Sequence, residues 1–350
     1  MLIANRYRTS SKVGAGGMGE IIECHDTHLD RTVVLKTLQA GVDTRRLLDE
    51  QKALAKLRSK HVVQLFDFTE ISSKSGSVSA LVLEHIEGND LVVGGYSPNA
   101  DYLKVLWQIS CGLNDIHAAG VIHRDIKPAN IRIDREGVIK ILDFGLSRSA
   151  GVDDHTHSII GTAAFMAPEL WGQSTISFSS AIDVYAFGVT ALALLSSRIP
   201  VELVRSPPAA VKASSLTPLI GNLPPELVLL LGSCLSQSPA DRPSMTVAAS
   251  VVAKYLLQDQ HRALVILDGM PHRLDSSHRV LRLKAGSLGQ VTVEYNGHAF
   301  SVTAASGSVY FNNKVAAIGD QVPGSCVITF GTGTVRKFVT FDVSNPEVMA

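Results

Sequence analysis

The sequence predicts an α+β fold in which a β-rich region, a larger helical region and an all-β region follow one another. Three observations predict it. Residues 7–87 alternate short β-prone runs with one amphipathic stretch, residues 88–257 carry apolar residues at helical spacing, and residues 262–344 return to β-prone runs. A chain of 350 residues has room for roughly two domains. We therefore expect a first domain over 7–257, made of two lobes that divide at residue 87, and a small all-β domain over 262–344.

The first region contains five runs rich in β-branched and apolar residues, which predict strands: Tyr7–Val13, Ile21–Cys24, Arg31–Leu38, Val62–Phe68 and Ser79–His85. Residues 43–60 have helical periodicity. Three leucines share one face of this helix with Glu50, at spacings of three and four: Leu47, Leu54 and Leu57. An acid on an apolar stripe points into the core and requires a cation, whereas Asp49 lies off the stripe.

The second region contains four stretches with helical spacing or almost wholly apolar content: Asp101–Ala119, Ala181–Leu195, Glu226–Leu235 and Met245–Leu257. The stretch 181–195 is apolar on all sides, so we expect a buried helix. Within the same region, Val138–Leu142 is a short apolar run that predicts a strand.

The third region contains seven short β-prone runs: Leu264–Leu267, Val280–Leu283, Val291–Tyr295, Ala299–Thr303, Val309–Phe311, Val327–Phe330 and Lys337–Val343. Asn296-Gly297 lies between two of them and predicts a hairpin with a type I′ turn, whose two central residues need positive φ. The pattern favours a sandwich or a small barrel.

Composition excludes several classes of protein. Hydrophobic residues make up 45% and charged residues 18%, which is typical of a globular core. The formal net charge is zero, so no global field attracts nucleic acid or an anionic membrane. The longest apolar stretches are too short to span a bilayer, and the four cysteines have no paired spacing. We therefore expect a cytoplasmic protein with free thiols, no nucleic-acid partner and no membrane span.

A glycine cluster and a lysine occur early in the chain. Residues 14–19 satisfy G-x-G-x-x-G, whose backbone amides can approach phosphate oxygens without side-chain obstruction. The cluster is a weak signal alone, but strand-like runs flank it, whereas a dinucleotide-binding fold would place a helix after it. Lys36 ends the apolar run Val33-Val34-Leu35-Lys36 and needs a partner there, which Glu50 can supply.

The most specific cluster begins at His123-Arg124-Asp125 and continues with Lys127 and Asn130. It offers a proton acceptor, a cation and a neutral oxygen ligand, and Asp143-Phe144-Gly145 adds a carboxylate soon after. Two ligands suited to magnesium, a base and a cation are the groups that phosphoryl transfer from ATP requires.

With these motifs in this order, residues from about 7 to 257 resemble the eukaryotic-type (Hanks-type) serine/threonine protein kinases of bacteria. Gly-Gly-Met-Gly within the glycine cluster and Leu29-Asp30-Arg31 before the lysine strand are typical of the bacterial members. The segment Ser206–Leu223 does not align with the family, and the chain lacks the spanning helix that follows the kinase in membrane-bound members.

The resemblance implies a two-lobed kinase fold and a role for each motif. Asp125 would be the catalytic base, Lys127 would neutralise the transferring phosphoryl group, and Lys36, paired with Glu50, would hold the α- and β-phosphates. Asn130 and Asp143 would bind Mg²⁺, with Mn²⁺ as the alternative. The remaining ATP-binding positions are Val13, Gly14, Gly16, Gly17, Gly19, Ile21 and the backbone of Glu84 and Ile86 in the hinge, with Leu83 as gatekeeper. A lysine two residues after the aspartate accompanies serine/threonine specificity.

Other positions have structural or regulatory roles by the same resemblance. Glu169 should pair with Arg242, Asp183 should anchor the backbone of the catalytic loop, and His123 should be structural. Thr162 resembles the threonine that contacts the catalytic aspartate and lysine. Arg124 would receive a phosphate from the activation segment, and its candidate sites are Thr156, which is favoured, and Ser158.

The all-β region is less informative. Phe311–Val315, Gly319-Asp320 and Val327–Gly331 resemble the closing strands of forkhead-associated domains, which bind phosphothreonine, but the phosphate-contacting elements of that family are not found in order. A protein-interaction or substrate-docking sandwich is the stronger hypothesis.

The function that follows is an ATP-dependent serine/threonine protein kinase acting on protein substrates, with a C-terminal interaction domain. A pseudokinase scaffold is the first alternative, and retention of the complete catalytic set argues against it. A small-molecule kinase is the second, which Ala167-Pro168-Glu169 and Arg242 disfavour because that segment builds a peptide platform.

Overall fold

The computed structural model describes residues 2–16, 19–37, 45–73, 76–144, 162–171, 179–344, 346 and 348. The chain forms two compact units, Met1–Val252 and Ala253–Met349, and each is described by itself. In the described ranges, no helix combines the length and the apolar character that crossing a membrane requires.

The first unit opens with a six-stranded antiparallel sheet in the order β1-β2-β3-β4-β6-β5. Its strands are β1 (Leu2–Ile3), β2 (Tyr7–Gly16), β3 (Gly19–Asp26), β4 (Arg31–Thr37), β5 (Leu65–Ser73) and β6 (Gly76–Glu84). Helix α1 (Arg45–Lys56) lies between β4 and β5 in the chain. The apolar residues of alternate positions form a core beneath this sheet, including Cys24, Val33, Leu35 and Val82, because side chains of a strand alternate between its two faces.

The remainder of the first unit is mainly helical, with a three-stranded sheet in the order β7-β8-β9. Its elements are β7 (Gly88–Asp90), α2 (Ala100–Ala118), β8 (Ile131–Asp134), β9 (Ile139–Ile141), α3 (Ala181–Leu195), α4 (Ala213–Ile220), α5 (Pro225–Cys234) and the greater part of α6 (Met245–Leu256). In the described part of this unit, four 3-10 helices join them: Pro128–Asn130, Thr162–Phe165, Pro168–Trp171 and Pro239–Asp241.

Helix α3 is buried along its length from Ile182 to Leu194, as its apolar composition predicts. It has one buried carboxylate, Asp183, in its first turn. Helix α2 begins at a cap in which the Asn99 side chain accepts a hydrogen bond from the Tyr102 amide at 3.1 Å.

Several element limits differ from the prediction. Helix α1 ends at Lys56 rather than residue 60, because Leu57 turns back through a backbone hydrogen bond to Leu54 and the chain then leaves the helical path. Strand β5 begins at Leu65 rather than Val62, because Val62 and Val63 instead pair with Ile141 of β9. The segment that did not align with the family contains α4, which periodicity did not reveal.

The second unit consists of two antiparallel sheets with the orders β11-β10-β18-β17-β15-β16 and β12-β13-β14. Its strands are β10 (Arg262–Leu267), β11 (Met270–Leu274), β12 (Val280–Lys284), β13 (Gly289–Tyr295), β14 (Phe300–Gly307), β15 (Val309–Phe311), β16 (Lys314–Val315), β17 (Cys326–Thr332) and β18 (Val335–Ser344). The inward residues of both sheets form one apolar cluster that includes Val265, Val293, Phe330 and Phe341. The predicted α+β class, with a final all-β part, is confirmed; β11 and β16 were not predicted.

The Asn296-Gly297 hairpin is present, but its predicted turn type is wrong. Tyr295 pairs with Phe300, so the loop has four residues. Of Asn296 and Gly297, the two central residues of the predicted turn, only Gly297 has a positive φ, at 98°. The Asn296 carboxamide oxygen accepts hydrogen bonds from the amides of His298 and Ala299, both at 2.9 Å. This side-chain closure of the loop replaces the type I′ geometry.

Candidate active site

The centre of the site is the ammonium group of Lys36 on β4. It lies 2.8 and 3.0 Å from the two carboxylate oxygens of Glu50 on α1 and 2.7 Å from Oδ1 of Asp143. The Lys36 and Glu50 side chains are less than a tenth exposed, whereas the Asp143 carboxylate is 43% exposed. The expected pairing of Lys36 with Glu50 is therefore present, and the same lysine also reaches the carboxylate that follows β9.

The two acids set the protonation of this lysine. Burial lowers the pKa of Lys36, but the Glu50 and Asp143 carboxylates outweigh it and raise that pKa to about 12. Burial likewise raises the pKa of Asp143, yet the Lys36 ammonium brings that pKa below its ordinary value. At neutral pH the cluster therefore holds a charged lysine and an ionised Asp143.

The catalytic-loop residues meet at the carboxylate of Asp125, which is 9% exposed. Lys127 Nζ donates to both of its oxygens, at 2.9 and 3.1 Å. Asn130 Nδ2 donates to Oδ2 of Asp125 at 2.8 Å and to its backbone carbonyl at 2.7 Å. Because the amide nitrogen makes both contacts, the amide oxygen is the atom that Asn130 can offer to a cation.

Asp183 fixes the backbone just before Asp125. Its carboxylate is fully buried and accepts hydrogen bonds from the amides of His123, at 2.8 Å, and Arg124, at 2.7 Å. Arg124 has a φ of 71°, a conformation that non-glycine residues adopt rarely. The two charge-assisted hydrogen bonds stabilise this conformation, so Asp183 anchors the loop as expected. His117 on α2 adds a third contact to the same carboxylate, at 2.9 Å.

His123 is buried, and both ring nitrogens have backbone partners. Nε2 lies 2.7 Å from the Leu142 carbonyl, and the Asp125 amide donates to Nδ1 at 3.3 Å. These contacts require a neutral ring protonated on Nε2, and burial lowers the pKa of His123 accordingly. The ring also packs on Phe144 with 4.7 Å between centroids. His123 thus connects the catalytic loop to the segment after β9 that carries Asp143.

The hinge begins where β6 ends. Leu83 and Ile86 are buried, and the Glu84 amide donates to the Gln64 carbonyl at 2.9 Å. The two carboxylate oxygens of Glu84 accept hydrogen bonds from Lys140 Nζ, at 2.7 and 3.0 Å. The sequence motifs indicate only the backbone of Glu84 and do not include Lys140, although a lysine inside the apolar run 138–142 is the same kind of signal as Lys36.

The structure describes the remaining predicted residues only in part. The backbone of Val13, Gly14 and Gly16 is in β2 and that of Gly19 in β3, while Ile21 pairs with Lys36 across β3 and β4. Thr162 begins a 3-10 helix, and only its backbone is described. Gly17, Thr156 and Ser158 lie outside the described residues.

The predicted structural ion pair between Arg242 and Glu169 is present. Arg242 is buried and donates to both carboxylate oxygens of Glu169, at 2.7 and 2.8 Å. It also donates to the carbonyls of Ala181 and Ser236, each at 2.9 Å. The guanidinium therefore connects the 3-10 helix 168–171 to the start of α3 and to the chain after α5.

Comparison with known proteins agrees with this geometry. Residues 7–255 match the protein kinase domain family, and the chain belongs to that family. Its activity is that of a protein serine/threonine kinase, as the sequence predicts.

Three bacterial protein kinases illustrate the similarity of this chain to known proteins. Serine/threonine-protein kinase PknL of Mycobacterium tuberculosis is 30% identical over 321 residues, which cover 84% of this chain and 77% of that protein. Probable serine/threonine-protein kinase PknB of Bifidobacterium longum is 33% identical over 217 residues, 57% of this chain and 31% of that protein. Serine/threonine-protein kinase pkn3 of Myxococcus xanthus is 28% identical over 309 residues, 80% of this chain and 54% of that protein.

Proposed function

We propose that this kinase transfers the γ-phosphate of ATP to serine and threonine hydroxyls of protein substrates, with Asp125, Lys127 and Lys36 as its catalytic residues. The observation that carries the proposal is the contact of one lysine with two acids from different parts of the chain, Glu50 on α1 and Asp143 after β9. A buried cation held in this way is positioned to receive the α- and β-phosphates of a nucleotide.

The metal ligands in this proposal are Asn130 and Asp143. A carboxylate and a carboxamide oxygen are the ligand types that Mg²⁺ prefers, and Mn²⁺ accepts the same set. The backbone carbonyl of Asn130 accepts a hydrogen bond from the backbone amide of Leu142 at 2.8 Å. This bond connects the segments that carry the two proposed metal ligands. The donor set therefore fits a divalent cation, which would neutralise the phosphates when bound.

Asp125 is proposed as the base that accepts or orients the proton of the substrate hydroxyl. Lys127, 2.9 Å from its carboxylate, supplies the positive charge beside the transferring phosphoryl group. The hydroxyl oxygen forms the new bond to phosphorus as the bond to the ADP oxygen breaks, and the proton leaves to Asp125 or solvent.

Purified protein incubated with labelled ATP and magnesium tests this assignment, beside Asp143→Ala and the matched control Asp101→Ala on α2. We expect phosphoserine or phosphothreonine with the parent and the control and none with Asp143→Ala. If the parent binds nucleotide and incorporates no label, the alternative of a nucleotide-binding scaffold replaces the catalytic proposal.

Regulation by autophosphorylation is a second part of the proposal. Thr156, or Ser158, would carry a phosphate that pairs with Arg124. The support is that the Arg124 backbone is fixed by Asp183, so a phosphate held by its side chain would act directly on the loop that bears Asp125. Thr156→Ala should lower activity, and phosphopeptide mapping of an active enzyme with an unmodified loop would contradict this part.

The third part concerns residues 262–344, for which we propose a protein-interaction or phosphoprotein-binding role. The support is compositional, since its interior is almost wholly apolar and any binding groups must therefore lie on its surface. Removal of residues after 258 should leave phosphorylation of a generic substrate intact and reduce that of substrates recruited through the domain. Complete loss of folded, active kinase on removal would contradict independent domains at 7–257 and 262–344.

A further inference from the structure

The hinge is tied to the strand that precedes Asp143 by an ion pair that the kinase motifs do not include. Lys140 lies in the middle of β9, three residues before Asp143, and its neighbours Ile139 and Ile141 are fully buried. Since side chains alternate along a strand, Lys140 faces the opposite side from these two isoleucines. There its ammonium contacts both carboxylate oxygens of Glu84, the last residue of β6.

This contact closes a ring of hydrogen bonds. Oε2 of Glu84 accepts from the Gln64 amide at 3.1 Å, and the Glu84 amide donates to the Gln64 carbonyl at 2.9 Å. One residue earlier, the Val63 amide donates to the Ile141 carbonyl at 3.0 Å. The start of the hinge and the strand leading to Asp143 are thus held by one side-chain link and one backbone link.

Charge also favours this pairing. Lys140 lies directly across β8 and β9 from Arg132, and two like charges at such a position repel each other. Arg132 is neutralised by Asp90, at 3.1 Å, and it also donates to the Gly88 carbonyl at 2.6 Å. Lys140 therefore depends on Glu84 for its counter-charge.

Burial distinguishes this pair from its neighbour on the same hinge. The Lys140 and Glu84 side chains are 14% and 24% exposed. Arg135 and Glu87 also form a short contact, at 2.6 Å, but their side chains are 78% and 55% exposed. Exposed pairs contribute little because water screens them, whereas a partly buried, bidentate pair constrains the groups it joins.

We infer that Lys140, through Glu84, is a positioning residue that sets the adenine-binding hinge relative to the phosphate- and metal-binding end of the site. The inference rests on the proposed ATP site. We expect a selective effect on nucleotide affinity, which depends on the relative position of these two ends. The backbone just before Asp125 is held by Asp183, which makes no contact with Lys140 or Glu84.

The test compares Lys140→Met with the matched control Arg135→Met in the full chain. We expect the affinity for ATP, and for adenosine, to weaken about five- to tenfold in Lys140→Met, with a parallel rise in KM for ATP. The kcat should stay within about threefold of the parent. Arg135→Met should match the parent, and Lys140→Arg should retain most of the affinity since a guanidinium can also contact both oxygens.

A double variant separates positioning from general damage. Lys140→Met leaves the Glu84 carboxylate without its cation, so adding Glu84→Gln should restore part of the lost adenosine affinity. Equal affinities of Lys140→Met and Arg135→Met would overturn the inference, as would a fall in kcat as large as the rise in KM. If Lys140→Met does not fold, Glu84→Gln alone gives the comparison, and unchanged nucleotide affinity there overturns the inference. Failure of the parent to bind ATP would instead overturn the proposed function.

Discussion

The two units of this chain differ in the number of polar side chains that they bury. The first unit encloses ionised or hydrogen-bonded side chains at several depths, including Lys36, Glu50, Asp183 and Arg242. In the second unit, Thr329 is the one buried polar residue among those that the structure describes, and its apolar cluster consists of aliphatic and aromatic residues and Cys326.

The difference indicates which interactions hold each unit together. A buried charge costs free energy unless it is paired, so a chain that retains many of them holds each in a network of short contacts. The first unit does so around the Asp125 and Lys36 clusters. The second unit needs no such networks because an apolar cluster fills the space between its two sheets. We therefore expect substitutions in the first unit to act through charge and those in the second through packing.

The largest effect is expected at Asp125. Asp125→Asn removes the proposed base, and we expect kcat to fall by about 10²–10⁴-fold. Nucleotide affinity should change little because Lys36 keeps both of its acids. Phosphorylation of a generic protein substrate with labelled ATP measures the effect, with Asp115→Asn on α2 as the control. Activity within tenfold of the parent would remove Asp125 from the catalytic role.

Breaking the buried ion pair tests the role of charge in stability. Arg242→Leu leaves Glu169 without its cation and two backbone carbonyls without a donor, so we expect the free energy of unfolding to fall by about 3–5 kcal/mol. Both tryptophans of the chain, Trp107 and Trp171, lie in the first unit. Their fluorescence in a urea titration therefore reports this unit, and the exposed Arg198→Leu is the control. A loss below about 1 kcal/mol would mean that the pair is dispensable.

Packing in the second unit is tested at a matched pair of phenylalanines. Phe330 is fully buried and Phe338, on the neighbouring strand, is 63% exposed. We expect Phe330→Ala to destabilise the second unit by about 3–5 kcal/mol and Phe338→Ala to be close to neutral. Hydrogen exchange of peptides from residues 262–344 measures this, and the tryptophan transition should not move. A concurrent loss of the first unit's transition would show that the two units are not independent.

The smallest effect is a pH dependence. Burial lowers the pKa of His61 to about 4, and neither ring nitrogen has a hydrogen-bond partner among the described residues. Below the ordinary histidine pKa of 6.5, the unfolded chain binds a proton that the folded chain does not bind. Stability should therefore fall as the pH drops from 6.5 to 4, by up to roughly 3 kcal/mol. The urea midpoint of unfolding should depend less steeply on pH across this range in His61→Leu than in the parent. An identical pH dependence in that variant would assign the effect to other groups.

Local patterns were sufficient for much of the prediction. Helix α3 has the predicted limits, and the stripe that placed Glu50 toward the core led directly to its contact with Lys36. Such features depend on side-chain periodicity, which is a property of a few consecutive residues. The elements β11, β16 and α4 were not predicted, since a short or proline-containing segment has too few residues in a regular hydrophobic pattern to indicate a strand or a helix.

The sequence by itself determined the order of the main elements, the family, and the set of residues that we propose for phosphoryl transfer, because these are recorded in residue type and spacing. Only the tertiary structure decided other contacts: Lys140 with Glu84, His117 with Asp183, and the partition of the last nine strands between two sheets. These contacts join residues that are far apart in the chain. Their partners are selected by the path of the backbone and by the cost of leaving a buried charge or amide unpaired.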